Sequence, residues 1–231
     1  MSRPSLPTTI SSRPDLPPCC ELMFVADTIN FREIVMKEAL PLATIQTAVI
    51  DFVRGRDDIV LFGAQAVNVY VSEPRATQDV DLMSTRAADL AGELREHLSE
   101  LFRIAVRVRE VKDGLGYRIF QLQKTGNRHL VDVRAVSSFP QYQCVDDVQV
   151  LTPVELIASK VISHHQRRGK SKSWTDRRDL VVLFHAFPEL KCDPGPVTDS
   201  LNAAQTDPTV LAVWRELVSQ EILPEGDEDD F

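Results

Sequence analysis

The spacing of apolar residues changes several times along the chain, and each change predicts a new element. From Leu42, residues Ile45, Val49, Phe52 and Val53 recur at helical intervals, and Gly55 follows at a stop position. Ile59 to Phe62, "IVLF", is an unbroken apolar run long enough only for a buried strand. It breaks at Gly63 into "AQAVNVYV", which predicts a short helix. Next, "RATQDVDLMS", residues 75–84, reads as a buried strand with charge placed inside it. Leu90, Leu94, Leu98 and Leu101 mark one face of an amphipathic helix over about residues 86–102. The period then falls to two: "RIAVRVREV", a "DGLG" turn at 113–116, "YRIFQLQ" and "HLVDVRAV" predict a three-strand meander. In "TPVELIASKVISHH", Thr152 is placed as N-cap, Pro153 at the first helical position and Glu155 three residues past the cap, a capping box. Two further helices are predicted, one from about Thr175 to Phe187 and one from Asp207-Pro208. The last carries Val210, Leu211, Trp214, Leu217 and Val218 on one side. This order implies an α/β core followed by a helical C-terminal part.

With 231 residues, 43% of them hydrophobic, the chain can bury a full core. Residues 1–22 are rich in Ser, Pro and Thr and are expected to be a disordered tail. The expected division is that tail, a core over 23–150, a helical cap over 151–223 and an acidic tail over 224–231. No N-terminal stretch joins a basic start to an apolar run, and no apolar run approaches bilayer length, so a cytoplasmic location without membrane association is expected. Of the four cysteines, Cys19 and Cys20 are adjacent while Cys144 and Cys192 stand alone. With no C-x-x-C pair, free thiols are expected. A net charge of -8 argues against a general nucleic-acid binder, because phosphate contacts need cations. The distribution qualifies this. Glu225, Asp227, Glu228, Asp229 and Asp230 crowd the end, whereas the segment 164–178 sets Arg167, Arg168, Lys170, Lys172, Arg177 and Arg178 against Asp176 alone. That segment fits either a basic patch or a solvated loop between helices.

In extended backbone, side chains alternate between faces, so Asp79 and Asp81 share one face while Val80 and Leu82 take the other. A bare D-x-D fits an exposed sheet edge as well as a divalent cation. Its surroundings point to the cation. The turn at Gly63 follows a strand and opens a helix, which leaves backbone N–H groups where phosphates bind. Asp132 interrupts an apolar strand, where a lone aspartate is costly unless paired, coordinated or facing solvent. Strand, glycine turn, D-x-D and one acid on a later strand together describe a two-metal phosphoryl-transfer site.

These segments resemble the polymerase-beta-like nucleotidyltransferase superfamily and, within it, the AbiEii-type nucleotidyltransferases of type IV toxin–antitoxin systems. The resemblance runs through "LFGAQAVNVYVSEPRATQDVDL", "LVDV", "LTPVELIASKVISHHQRR" and "WTDRRDLVVLF", across most of residues 57–187. It implies a nucleotidyltransferase core built on a small mixed sheet. It also implies that Gly63 and Ala64 hold the nucleotide phosphates, that Asp79, Asp81 and Asp132 ligate Mg2+ or Mn2+ and form the catalytic triad, and that Lys160 faces the triphosphate of an NTP. Gly63-Ala64 departs from the Gly-Ser or Gly-Gly usual in the family, so backbone donors replace a hydroxyl at that turn.

Thr77, placed on the Asp79 face by the period of two, is a further nucleotide-contact candidate, with Arg75 beside it. Asp176 and Asp179 fit a solvated helical face better than partners for Lys160. His164 and His165 are adjacent on a helix and do not form a zinc pair. The resemblance implies an RNA acceptor at a tRNA 3' end, with Arg167, Arg168, Lys170 and Lys172 contacting it, and a cognate antitoxin as partner. An antibiotic-type small-molecule acceptor and a non-catalytic binding module are the alternatives.

Overall fold

The computed structural model describes residues 40–222 apart from 112 and 125. Both expected tails, 1–22 and 224–231, lie outside the described residues, as do Cys19 and Cys20. Cys144 and Cys192 are free thiols. No described helix is long and apolar enough to cross a membrane.

The chain opens with helix α1 (Leu42–Val53), which buries Ile45, Ala48, Val49 and Val53. Strand β1 (Ile59–Phe62) is buried at all four positions, as its unbroken apolar run requires. Helix α2 (Gly63–Tyr70) follows without a linker. Strand β2 (Val80–Ser84) comes next, then helix α3 (Ala87–Phe102), with Leu90, Leu94 and Leu98 fully buried. Leu101 continues that stripe but is 55% exposed, because periodicity gives the direction of a face and not where the underlying sheet ends. The meander is β3 (Val106–Val111), β4 (Gly116–Gln121) and β5 (Arg128–Ala135).

A hairpin that the apolar periodicity does not predict follows, β6 (Tyr142–Val145) and β7 (Val148–Leu151). Its turn residues Asp146 and Asp147 both take positive φ, 48° and 62°, the backbone signature of a tight hairpin turn. The described strands form one mixed sheet in the order β3-β4-β5-β2-β1-β7-β6. In it β2 runs parallel to β5 and antiparallel to β1, while β1 runs parallel to β7.

Beyond Leu151 the chain is helical: α4 (Pro153–Gln166), α5 (Ser171–Ala186), α6 (Pro196–Ala203) and α7 (Pro208–Ser219). Thr152 Oγ1 accepts from the Glu155 amide, as expected of the cap. The reciprocal half of the box is missing: Thr152 N–H donates to the Gln141 carbonyl, and Glu155 Oε2 instead accepts from Ser200 Oγ at 3.1 Å. That bond joins α4 to α6. Helix α4 also packs on α2, α5 and α7, so it links the sheet layer to the C-terminal helices.

The charged stretch at 75–84 is only half strand, and the reason is topological. Phe62, the last residue of β1, pairs with Asp81, after which Gly63 turns the chain into α2. Residues before Val80 therefore have no ladder partner on β1, and 75–79 form a loop. Without a ladder the period of two does not apply, and Thr77 and Asp79 do not share one extended face.

Candidate active site

The register of the sheet builds the site. Across β4, β5, β2 and β1, the residues Arg118, Asp132, Asp81 and Phe62 lie side by side. Neighbouring strands sit about 4.8 Å apart, so Asp81 and Asp132 are held as neighbours by backbone pairing alone. Asp79 reaches the same charges from the bend just before β2. Gly63 closes the row from above. Its φ is +71°, and a Cβ there would overlap the Asp81 carboxylate, so only glycine permits both the turn and the acid.

His129 sits between two of the acids, a position that strand alternation does not predict. Residues three apart on a strand ordinarily face opposite ways. A register shift in the β4–β5 ladder pairs Ile119 with Val131 and Phe120 with His129, passing over Leu130. That bulge turns His129 onto the face of Asp132. Its Nδ1 lies 3.0 Å from Asp79 Oδ2 and its Nε2 3.7 Å from Asp132 Oδ1. The second separation is too long for a hydrogen bond, and Nε2 is buried without a partner among the described residues. Arg118 Nε donates to Asp132 Oδ1 at 3.0 Å.

The titration behaviour follows from this geometry. Burial, then the Asp79 and Asp132 charges, push Asp81 up to about 7. The His129 imidazole beside Asp79 holds that carboxyl below its usual range, and Lys172 adds to the effect. Burial works to raise Asp132, but His129 and Arg118 outweigh it and leave it lowered. Burial likewise works against a charged His129, yet Asp132 and Asp79 carry it up to about 9. The acids thus enclose one cation already, the imidazolium.

Ligand atoms of Asp79, His129 and Asp132 all lie within 4.8 Å of one another, and Asp81 is one strand away from Asp132. Hard carboxylate oxygens in mutual repulsion fit a divalent cation, and His129 would join them as a ligand only on giving up its proton.

A polar cavity of about 310 Å3 opens beside this row, lined among others by Gly63, Asp81, Asp132, Arg134, Lys160 and Arg167. Arg134 shares the Asp132 face of β5 and lays its guanidinium 4.5 Å from the Phe62 ring centroid. The signal for it lies in "VDVR", where it is the next residue on that face after Asp132.

Lys160 is buried, and its Nζ lies 2.6 Å from Asp179 Oδ2 and 3.4 Å from Asp176 Oδ1. Arg75 closes on Asp179 with two bonds, 2.7 and 3.0 Å, and Arg167 Nη1 donates to Asp176 Oδ2 at 2.9 Å. Asp176 and Asp179 are 3% and 0% exposed, which overturns their reading as a solvated face. Helical spacing cannot tell which flank of a helix meets a buried lysine.

The remaining candidates are dispersed. Thr77 is buried outside the cavity lining, its Oγ1 accepting from Gln65 Nε2 at 2.8 Å and Gln46 Nε2 at 3.2 Å. It ties the loop before β2 to α1 and α2. Ala64 is half-buried in the first turn of α2. Lys170 and Lys172 are exposed at the start of α5, and Arg168 turns to the far side of the α4–α5 hairpin.

The family model for the nucleotidyl transferase AbiEii toxin of type IV toxin–antitoxin systems matches residues 47–192. Among solved structures, the Megavirus polyadenylate synthase aligns with a TM-score of 0.51 at 15% identity, over 66% of this chain and 32% of that one. The chain therefore spans about a third of that enzyme's length, and the likeness is one of fold. An antigenic nucleotidyltransferase-like protein from Paracoccidioides brasiliensis aligns at 0.44 and 20% identity, over 74% of this chain and 92% of that one. The antibiotic-resistance factor ANT(2'')-Ia aligns at 0.46 and 16% identity, over 76% and 95%. No curated protein matches the chain by sequence.

Proposed function

The chain belongs to the AbiEii family of nucleotidyl transferase toxins, and on that premise we propose that it moves a nucleoside monophosphate from an NTP to a hydroxyl of an RNA acceptor, in a toxin-like role. The observation that carries the chemistry is the in-register pair Asp81 and Asp132 beside the Gly63 turn, with Asp79 adjoining. The RNA assignment is supported by the exposed cations Arg168, Lys170 and Lys172 at the α4–α5 tip, where Lys172 is near enough to affect Asp79.

In this reading the NTP lies in the polar cavity with its phosphates at the start of α2, where backbone N–H groups and the positive helix end favour anions. Lys160 and Arg134 face the same space as fixed cations. Asp176 and Asp179 hold the Lys160 ammonium in place, so it need not reorganise as charge shifts toward the leaving group. The acceptor hydroxyl gives its proton to Asp132 as its oxygen bonds to the α-phosphorus, and the bond from that phosphorus to pyrophosphate breaks. Asp79, Asp81 and Asp132 would hold magnesium or manganese, with His129 at the margin, and the ion would supply charge neutralisation of the phosphates. A cognate antitoxin is the partner the family suggests.

The test is transfer of label from each α-labelled NTP, with magnesium, to separate RNA and aminoglycoside acceptors. Label on RNA, falling by roughly 10²–10³-fold or more in Asp81→Asn and Asp132→Asn, is the expected result. Label on the aminoglycoside alone would remove the RNA reading, and none on either would remove transfer to both acceptor classes.

A further inference from the structure

We infer that the far side of the α4–α5 hairpin is a base-stacking subsite for single-stranded nucleic acid, through which the acceptor strand is held as its end enters the polar cavity. The inference rests on the proposed RNA acceptor and assigns residues to its recognition. A second cavity, of about 220 Å3, lies between the hairpin and α7. It is smaller than the range of about 300–1,000 Å3 common for whole drug-sized ligands, and suits one flat group. Trp174 stands at its rim and is 71% exposed, the most exposed of the large hydrophobic residues described.

Arg168 and Arg177 flank the Trp, against Glu216 as the single lining acid. Among the described residues, Arg177 is bonded only to the neutral Gln220, at 3.0 Å, and Arg168 has no ion pair. His165, also in the lining, is held by Thr209, whose Oγ1 lies 3.2 Å from its Nε2. An exposed aromatic face next to uncompensated cations is the combination that binds single strands, stacking for bases and charge for phosphates.

The connectivity gives direction. Arg167 lines the polar cavity and Arg168 this one; Asp176 lines the polar cavity and Arg177 this one. Consecutive residues thus serve both spaces, and the exposed Lys170 and Lys172 lie between these two pairs in the chain. A strand with one base on Trp174 passes over the α4–α5 tip along cations before its terminal hydroxyl reaches the acids.

The experiment uses the full chain and a mixed-sequence RNA hexamer, with an abasic hexamer of equal phosphate charge as control. Trp214 is fully buried, so quenching of solvent-exposed tryptophan emission reports Trp174. Expected are saturable quenching by the hexamer and none by the abasic strand. Affinity should fall by about tenfold or more in Trp174→Ala and be largely restored in Trp174→Phe. Because the side chain is exposed, the alanine variant should keep its buried Trp214 emission and its NTP affinity. Hexamer binding with unchanged Trp174 emission, or unaltered affinity in Trp174→Ala, would overturn the subsite even if label is transferred to RNA. Quenching with the expected variant pattern but no label on RNA would keep the subsite and remove the acceptor reading.

Discussion

Gly63 is the residue whose replacement the geometry most strongly forbids. Its positive φ costs any side-chain-bearing residue about 1–2 kcal/mol from the backbone alone, and an added Cβ would collide with the Asp81 carboxylate. Gly63→Ala should lower stability by at least that amount in urea denaturation and reduce nucleotidyl transfer more than the stability loss explains, because Asp81 must move. Local pattern makes Gly63, Asp81 and Asp132 legible, since each interrupts or ends an apolar strand. His129 is not legible, because a bulge at Leu130 reverses the alternation of faces along β5. Thr77 misleads for a related reason: the loop before β2 has no ladder, and two glutamines decide where its hydroxyl goes.

At the scale of elements, the α4–α5 pair is fastened by a buried charge cluster whose acids come from α5 and whose cations come from α4, the α4–α5 turn and the loop before β2. Removing one acid strands cations in a desolvated place, so Asp179→Asn should cost about 3 kcal/mol or more in urea denaturation. Burial works to raise Asp179, but Arg75 and Lys160 outweigh it and hold the carboxyl lowered. Its contribution to stability is therefore full above the unfolded value of about 4 and is lost as pH falls through the lower folded value. Stability measured against pH below about 4 should accordingly decline less steeply in Asp179→Asn than in the parent. The helices themselves are legible from caps and periods, Thr152-Pro153 and Asp207-Pro208 above all. Their partners are not: the same spacing of Asp176 and Asp179 describes a wet face or a buried one, and only α4 lying alongside decides.

For the molecule as a whole, the distribution of charge matters more than the net value of -8. Magnesium with NTP should raise the melting temperature, by the equivalent of about 2.7 kcal/mol at a hundredfold excess over Kd, and Asp79→Asn with Asp132→Asn should abolish the rise in calorimetry. RNA affinity should fall with salt, and neutralising one phosphate-binding cation, as in Lys170→Gln or Lys172→Gln, should reduce the log–log slope by about 0.7. Pattern along the chain was enough to identify α1 to β5 and then α4, α5 and α7, and to mark the glycine turn and the three acids as out of place, because apolar period, caps and residues out of pattern are properties of neighbours in the chain. Tertiary structure decided the rest. Strand order put Asp81 beside Asp132, the bulge brought in His129, the β6–β7 hairpin extended the sheet, and packing of α4 on α5 buried Lys160 with its acids. Those outcomes depend on pairing between segments distant along the chain, about which the period within any one segment carries no information.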